Sequence, residues 1–170
     1  NKVALGHRSG AVTWNKFGYN NDIDIGTEAI VSWGGMYQRL TTGTTLSFVS
    51  DSTDDTFTGT GAQSIVIYGV DHEFHDIIEV LPLSGTSAVV TANQYLGVNR
   101  AAIYLVGSGG VNAGTIDAVD TSLGYQQAQI PAGEGTSQQA LFFTSTDHVA
   151  LLDWLVLNIT KTSGGGSPRV

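Results

Sequence analysis

The run Asp71-His72-Glu73-Phe74-His75-Asp76 places two imidazoles and three carboxylates within six residues. Those are the donor types that suit a divalent cation such as zinc. The metalloprotease helix motif is His-Glu-x-x-His, with its histidines four apart on one helix face. Here the histidines are three apart, in a segment expected to turn between two strands, so the first reading is a solvated acidic turn. A surface site built from His72, His75 and a carboxylate is the metal-binding alternative. Asp51-Ser52-Thr53-Asp54-Asp55 alternates oxygen donors as a calcium loop does. An EF-hand needs Gly at loop position six and Glu at position twelve. Thr56 and Ala62 stand there, and the match fails; an opportunistic cation is the alternative.

Nucleophilic chemistry finds no better footing. The segment Val106-Gly107-Ser108-Gly109-Gly110 has glycines around a serine but not the spacing of a nucleophile elbow. Lys161-Thr162-Ser163-Gly164 has no Ser-x-x-Lys partner elsewhere in the chain. There is no phosphate-binding Gly-x-x-x-x-Gly-Lys, and no glycine-rich turn opens a helix. Glu28, Glu73, Glu79 and Glu134 could pair as glycosidase carboxylates only if the fold brought two of them together, and Glu79 is expected on the solvent face of a strand. Asn158-Ile159-Thr160 has the pattern of a glycosylation sequon but falls in an apolar run. No catalytic residue, cofactor site or metal site is assigned, and the chain is expected not to be an enzyme.

The elements that would position these residues read as strands. Short runs rich in Val, Ile, Thr and Tyr are bounded by Gly, Asn, Asp and Ser, the signature of strands and turns. Strands are expected at 45–50, 64–70, 77–83, 87–91, 102–106, 114–119, 125–130, 139–144 and 149–160. No sustained helical period accompanies them. The expected fold class is therefore all-β, with antiparallel β-sandwich or jelly-roll-like modules. Segment 149–160 has apolar residues at both parities, which suits a strand buried on both faces or a short buried helix; a strand is expected. Segment 93–99 is left as a loop.

Residues 1–40 look different, mixing Trp14, Phe17, Tyr19 and Trp33 with polar residues and little alternation. They are expected to form an extended N-terminal arm. Its aromatics need cover, so Trp14, Lys16, Phe17, Tyr19 and Trp33 are the candidate partner-binding residues. The Gly107–Gly110 cluster suggests a division into a first β-sandwich module (41–110) and a second β-module (111–170).

Composition bounds the function. The chain has 170 residues, 41% hydrophobic and 13% charged, with no cysteine; soluble domains average about 25% charged. Disorder is excluded by the apolar fraction, and collagen by the lack of a glycine period. The net charge of −8 argues against nucleic acid or an anionic membrane as partner. No apolar run approaches the roughly 20 residues of a membrane-spanning helix. The charge is also uneven: residues 1–39 carry +1, residues 40–160 carry −11 with Arg100 their single base, and residues 161–170 carry +2. An arm of different charge from the acidic body could dock on a neighbouring copy.

An ordered set of short motifs runs through the chain: Lys16-Phe17-Gly18, Trp33-Gly34-Gly35, Val49-Ser50-Asp51-Ser52-Thr53-Asp54, Gly59-Thr60-Gly61-Ala62 and Ile67-Tyr68-Gly69-Val70-Asp71. Ile78-Glu79-Val80, Leu83-Ser84-Gly85-Thr86, Val98-Asn99-Arg100-Ala101, Asn112-Ala113-Gly114-Thr115-Ile116, Ile130-Pro131-Ala132-Gly133-Glu134-Gly135 and Trp154 follow. In their order and spacing, over about residues 16–160, they resemble virion structural proteins of tailed phages of marine and aquatic bacteria, including cyanobacteria. The resemblance implies a non-enzymatic, homo-oligomeric β-protein located in the virion, with no catalytic residue to carry over. It implies other virion proteins as partners, either the major capsid protein or tail components. Members of that group continue past Val170 with further strands, so the second module is expected to be incomplete at its C-terminus and the chain to be a window of a longer protein.

Three functions follow as expectations. The first is a capsid decoration or cement protein that binds the head surface and its own neighbours through the arm. The second is a tail-associated protein, adaptor-associated or fibre-anchoring. The third is a carbohydrate-binding β-sandwich, in which Trp14, Tyr37 or Tyr125 would stack on sugars.

Overall fold

Alternation with a period of two decides which residues face inward. A computed structural model describes residues 10–23 and 26–159. Seven strands form among these residues: β1 (Leu46–Ser50), β2 (Ala62–Val70), β3 (Asp76–Pro82), β4 (Val89–Val90), β5 (Gly97–Val106), β6 (Ile116–Asp120) and β7 (Gln126–Ile130). Among the described residues there is no helix. One sheet has the order β4-β1-β6-β7 and the other β3-β2-β5, and every strand pair is antiparallel. The fold is thus all-β, with two antiparallel sheets, an arrangement consistent with a β-sandwich.

In the first sheet Leu46, Phe48 and Ser50 point inward from β1, and Ile116, Ala118 and Asp120 from β6. Phe48 sits opposite Ala118, so a large ring faces a methyl, the large-against-small pairing that close packing favours. In the second sheet Ile65 and Ile67 of β2 and Leu81 of β3 point inward. These residues join Phe48, Ile116, Ala128 and Ile130 in one hydrophobic cluster that spans both sheets. A smaller cluster of Leu40, Val70 and Leu96, backed by Phe74 and Phe143, closes one end. The outward rows of the second sheet run Ile78–Tyr68–Arg100 and Val80–Val66–Ala102.

Buried polar groups pin the connections. Asp55 has no exposed surface. Its carboxylate accepts from Ser50 Oγ at 2.6 Å and from the amides of Ala62 at 2.7 Å, Ala113 at 2.8 Å and Gly114 at 2.9 Å. Four donors replace the water this charge gives up. A Cβ at Gly61 would lie 2.2 Å from Asp55 Oδ1, so only glycine admits the carboxylate there. Glu79, expected to face solvent, lies on the inward row of β3. It accepts from the amides of Ala92 and Asn93 and from the Tyr95 hydroxyl, tying β3 to the segment before β5.

The expected strand at 139–144 does not form; Gln139 instead makes a single bridge to Val31. Segment 149–159 is not a strand either, and it is exposed along its length. A run apolar at both parities needs a layer on each side, and the inner faces of the two sheets are already filled by their own side chains. β5 begins at Gly97, inside the segment expected to be a loop. The strand expected at 87–91 contracts to two residues; at its end the Thr91 hydroxyl, not its carbonyl, accepts the Leu46 amide. Strands from either side of the Gly107–Gly110 cluster share a sheet, since β6 pairs with β1.

Candidate interaction surface

The candidate residues of the N-terminal segment lie across their own chain. Trp14 packs on Phe142 with ring centroids 5.3 Å apart, while Phe17 stays 70% exposed. Lys16 is half-buried and donates through Nζ to the Asn99 carbonyl. Burial, with a smaller contribution from Arg100, pulls its ammonium down from 10.5 to about 8. Gly18 lies so close to Gln139 and Ala140 that an added Cβ would stand 2.3 Å from the Ala140 nitrogen. Val31 is fully buried, and Ala140 N donates to Ile30 O at 2.9 Å. Trp14 and Gly18 thus share one strip with residues 139–142 and Lys16 between them reaches β5 at Asn99, whereas Tyr19 and Trp33 are half-buried in the same segment.

Beside this strip lies a cleft of about 340 Å³, lined by Tyr37, Arg39, Phe74 and residues 141–144. Tyr37 donates to Gln127 Oε1 at 2.7 Å and leans on Phe143. Burial pushes its phenol above the usual range, against the opposing charge of Arg39. A partner ring would find that hydroxyl already engaged.

The acidic turn brings together Asp71, Glu73 and His75, whose donor atoms all lie within 4.8 Å of one another. His75 Nδ1 is 3.5 Å from Asp71 Oδ2 and from Glu73 Oε2. His72 is not part of the set and lies against Gly43. The other oxygen of Asp71 accepts the His75 and Glu73 amides, each at 2.9 Å. The His75 amide leads the effects that hold the Asp71 carboxyl below its ordinary range, against desolvation. The same bonds bend the turn, with Phe74 at φ 61°. The calcium-loop candidates are spent differently: Asp55 is enclosed, and Asp51 accepts the Thr115 amide at 2.9 Å.

One constellation was invisible in the sequence. Ser145 Oγ lies 2.8 Å from His148 Nδ1 and 3.0 Å from Asp76 Oδ2, and His148 Nδ1 is 3.8 Å from the same oxygen. The residue types are those of a hydrolytic triad, but the arrangement is not. In a triad the acid and the serine engage opposite ring nitrogens; here both face Nδ1. The three side chains tie the end of the packed chain to the start of β3.

What remains unabsorbed is the run 149–159. Val149 and Leu151 are each 89% exposed, and Leu152, Trp154, Leu155 and Val156 are exposed with them. Its signal in the sequence was the apolar character at both parities, which pointed to two-sided burial without saying by what. Among the described residues no helix is long and apolar enough to cross a membrane. Compared with family models, curated proteins and solved structures, the chain matches none.

Proposed function

We propose that the chain is a non-enzymatic structural protein of a tailed-phage virion, a decoration or cement protein that binds the head surface and its own neighbours. The observation that carries the reading is where the large exposed apolar side chains lie. Many of them sit in the two extended segments flanking the sheets, at Val12, Trp14, Phe17, Ile23 and Met36 on one side and along 149–159 on the other. Extended apolar segments wrap partners; they do not enclose small substrates. The motif resemblance supplies the class of particle. In this reading the sheets are jelly-roll-like, and residues 1–40 act as an arm. The major capsid protein is its principal partner.

The test is location and copy number in purified particles, by quantitative mass spectrometry and labelling. Copies on the order of hundreds, following the head's symmetry, support the reading; about six to twelve would move the protein to the tail. Absence from particles overturns both.

A further inference from the structure

We propose that residues 149–159 dock on the free edge and outer face of β3 in a second copy of this chain, so that copies associate by exchanging this segment. The inference rests on reading the chain as an assembling structural protein and names the first partner as the chain itself.

The donor is an eleven-residue run whose only charged side chain is Asp153. Fully extended it spans about 36 Å, against about 23 Å for the seven residues of β3. It is therefore long enough to follow that whole edge and still cover part of the sheet. The acceptor is the outer side of the second sheet. Among the described residues β3 pairs only with β2, so its other edge offers backbone donors and acceptors with no ladder partner there. Its outward side chains Ile78 and Val80 are 63% and 48% exposed; the half-buried Tyr68 and Ala102 continue the same rows, while Val66 between Val80 and Ala102 is already buried. Arg100, the one Lys or Arg between residues 40 and 160, ends one of these rows and is exposed.

The exit point brings donor and acceptor together. Thr146 N donates to Phe74 O at 2.9 Å, and Ser145 Oγ is 3.0 Å from Asp76 Oδ2, so the chain leaves its body beside the first residue of β3. A turn closed by His148 N to Ser145 O at 3.1 Å follows. Beyond it Val149 and Leu151 are almost wholly exposed: the segment has left its own β3 instead of folding back along it. A two-fold neighbour presents the same edge at the same place, so a reciprocal exchange covers both runs at once.

The absence of cysteine makes the test clean. Ile78→Cys and Leu155→Cys, both at exposed positions, are made as separate full-length chains, mixed, and treated with a short bismaleimide. Light scattering is measured on the unmodified chain and on a Leu152→Asp/Leu155→Asp variant whose circular dichroism reports the sheets. The expected results are cross-linked pairs holding one chain of each type, a dimer or larger assembly for the unmodified chain, and association weakened at least about 100-fold in the double variant. A monomer at tens of micromolar overturns the proposal. So does a cross-link formed only within one chain of the Ile78→Cys/Leu155→Cys variant, or an assembly indifferent to the aspartates. Failure here is separable from failure of the virion reading: a monomer abundant on heads sinks only the exchange, and an exchanging dimer absent from particles sinks only the location.

Discussion

The amide of Gly114 donates to the carboxylate of Asp55 at 2.9 Å across 59 residues of chain, joining the β1–β2 connection to the loop that enters β6. Ala62 and Ala113 donate to the other oxygen, so one enclosed side chain collects three backbone donors and the Ser50 hydroxyl. In Asp55→Asn the amide group must point at one of those backbone donors, whichever way it turns. We expect a loss of about 2–4 kcal/mol in unfolding free energy, read from the urea midpoint. Asp51→Asn, at an exposed carboxylate with one such bond to Thr115, should cost less than about 1 kcal/mol. Equal losses would mean that the burial of Asp55 is not what makes it matter.

Gly18 separates the docking of the N-terminal segment from the stability of the sheets. Its Cβ position falls 2.3 Å from the Ala140 nitrogen and 2.8 Å from the Gln139 carbonyl carbon, both backbone atoms that cannot step aside. Gly18→Ala should lift residues 14–20 from the strip formed by 139–142 while leaving the two-sheet cluster intact. Hydrogen exchange checks it. The amide of Ala140 should lose protection together with its neighbours, and the β2 amides should keep theirs.

How much of this was legible in the sequence depends on where each side chain's partner sits. Leu46, Phe48, Ile116 and Ala118 announced β1 and β6, because alternation is local and needs only one face covered. The end of the chain was misread for the opposite reason: apolar residues at both parities demand two partners, and a single sequence does not say where either lies. Glu79 was placed outward because charge suggests solvent, yet it is held inward by the backbone of Ala92 and Asn93. Of the aromatic candidates, Trp14 leans on Phe142, a partner that lies far along the chain. The grouping of Ser145, His148 and Asp76 depends on the same kind of distant pairing, so spacing could not reveal it.

Lys16 gives the chain a pH response with a definite sign. Its folded value of about 8 lies below the ordinary 10.5, so the folded state releases the proton first. Below about 8 the ammonium is charged in both states and its burial is a standing cost. As pH rises from about 8 towards 10.5 the unfolded chain binds more protons, and stability increases. Lys16→Met removes both the cost and the slope. The stability advantage of this variant should therefore be largest at neutral pH and shrink between those two values. Urea unfolding of both chains at paired pH values measures the difference, and an advantage constant with pH would show that Lys16 titrates normally.

Tyr37 and Tyr95 respond with the opposite sign. Burial raises both phenols above their ordinary 10.0, and at Tyr95 the charge and hydrogen bond of Glu79 push the same way. The folded chain holds these two protons after the unfolded chain has lost them. The resulting stability is fully present below about 10 and is lost as pH climbs beyond it. Phenolate absorbance and circular dichroism, followed together along one alkaline titration, report the two events. The signals of Tyr37 and Tyr95 should appear only with unfolding, and Tyr37→Phe and Tyr95→Phe should each delete part of that late amplitude. Glu79→Gln should shift only the Tyr95 share to lower pH, since it removes the neighbouring charge and leaves the burial. Were the Tyr37 and Tyr95 signals to appear before the sheets melt, the two hydroxyls would have to be open to water, contrary to the packing that sets their direction here.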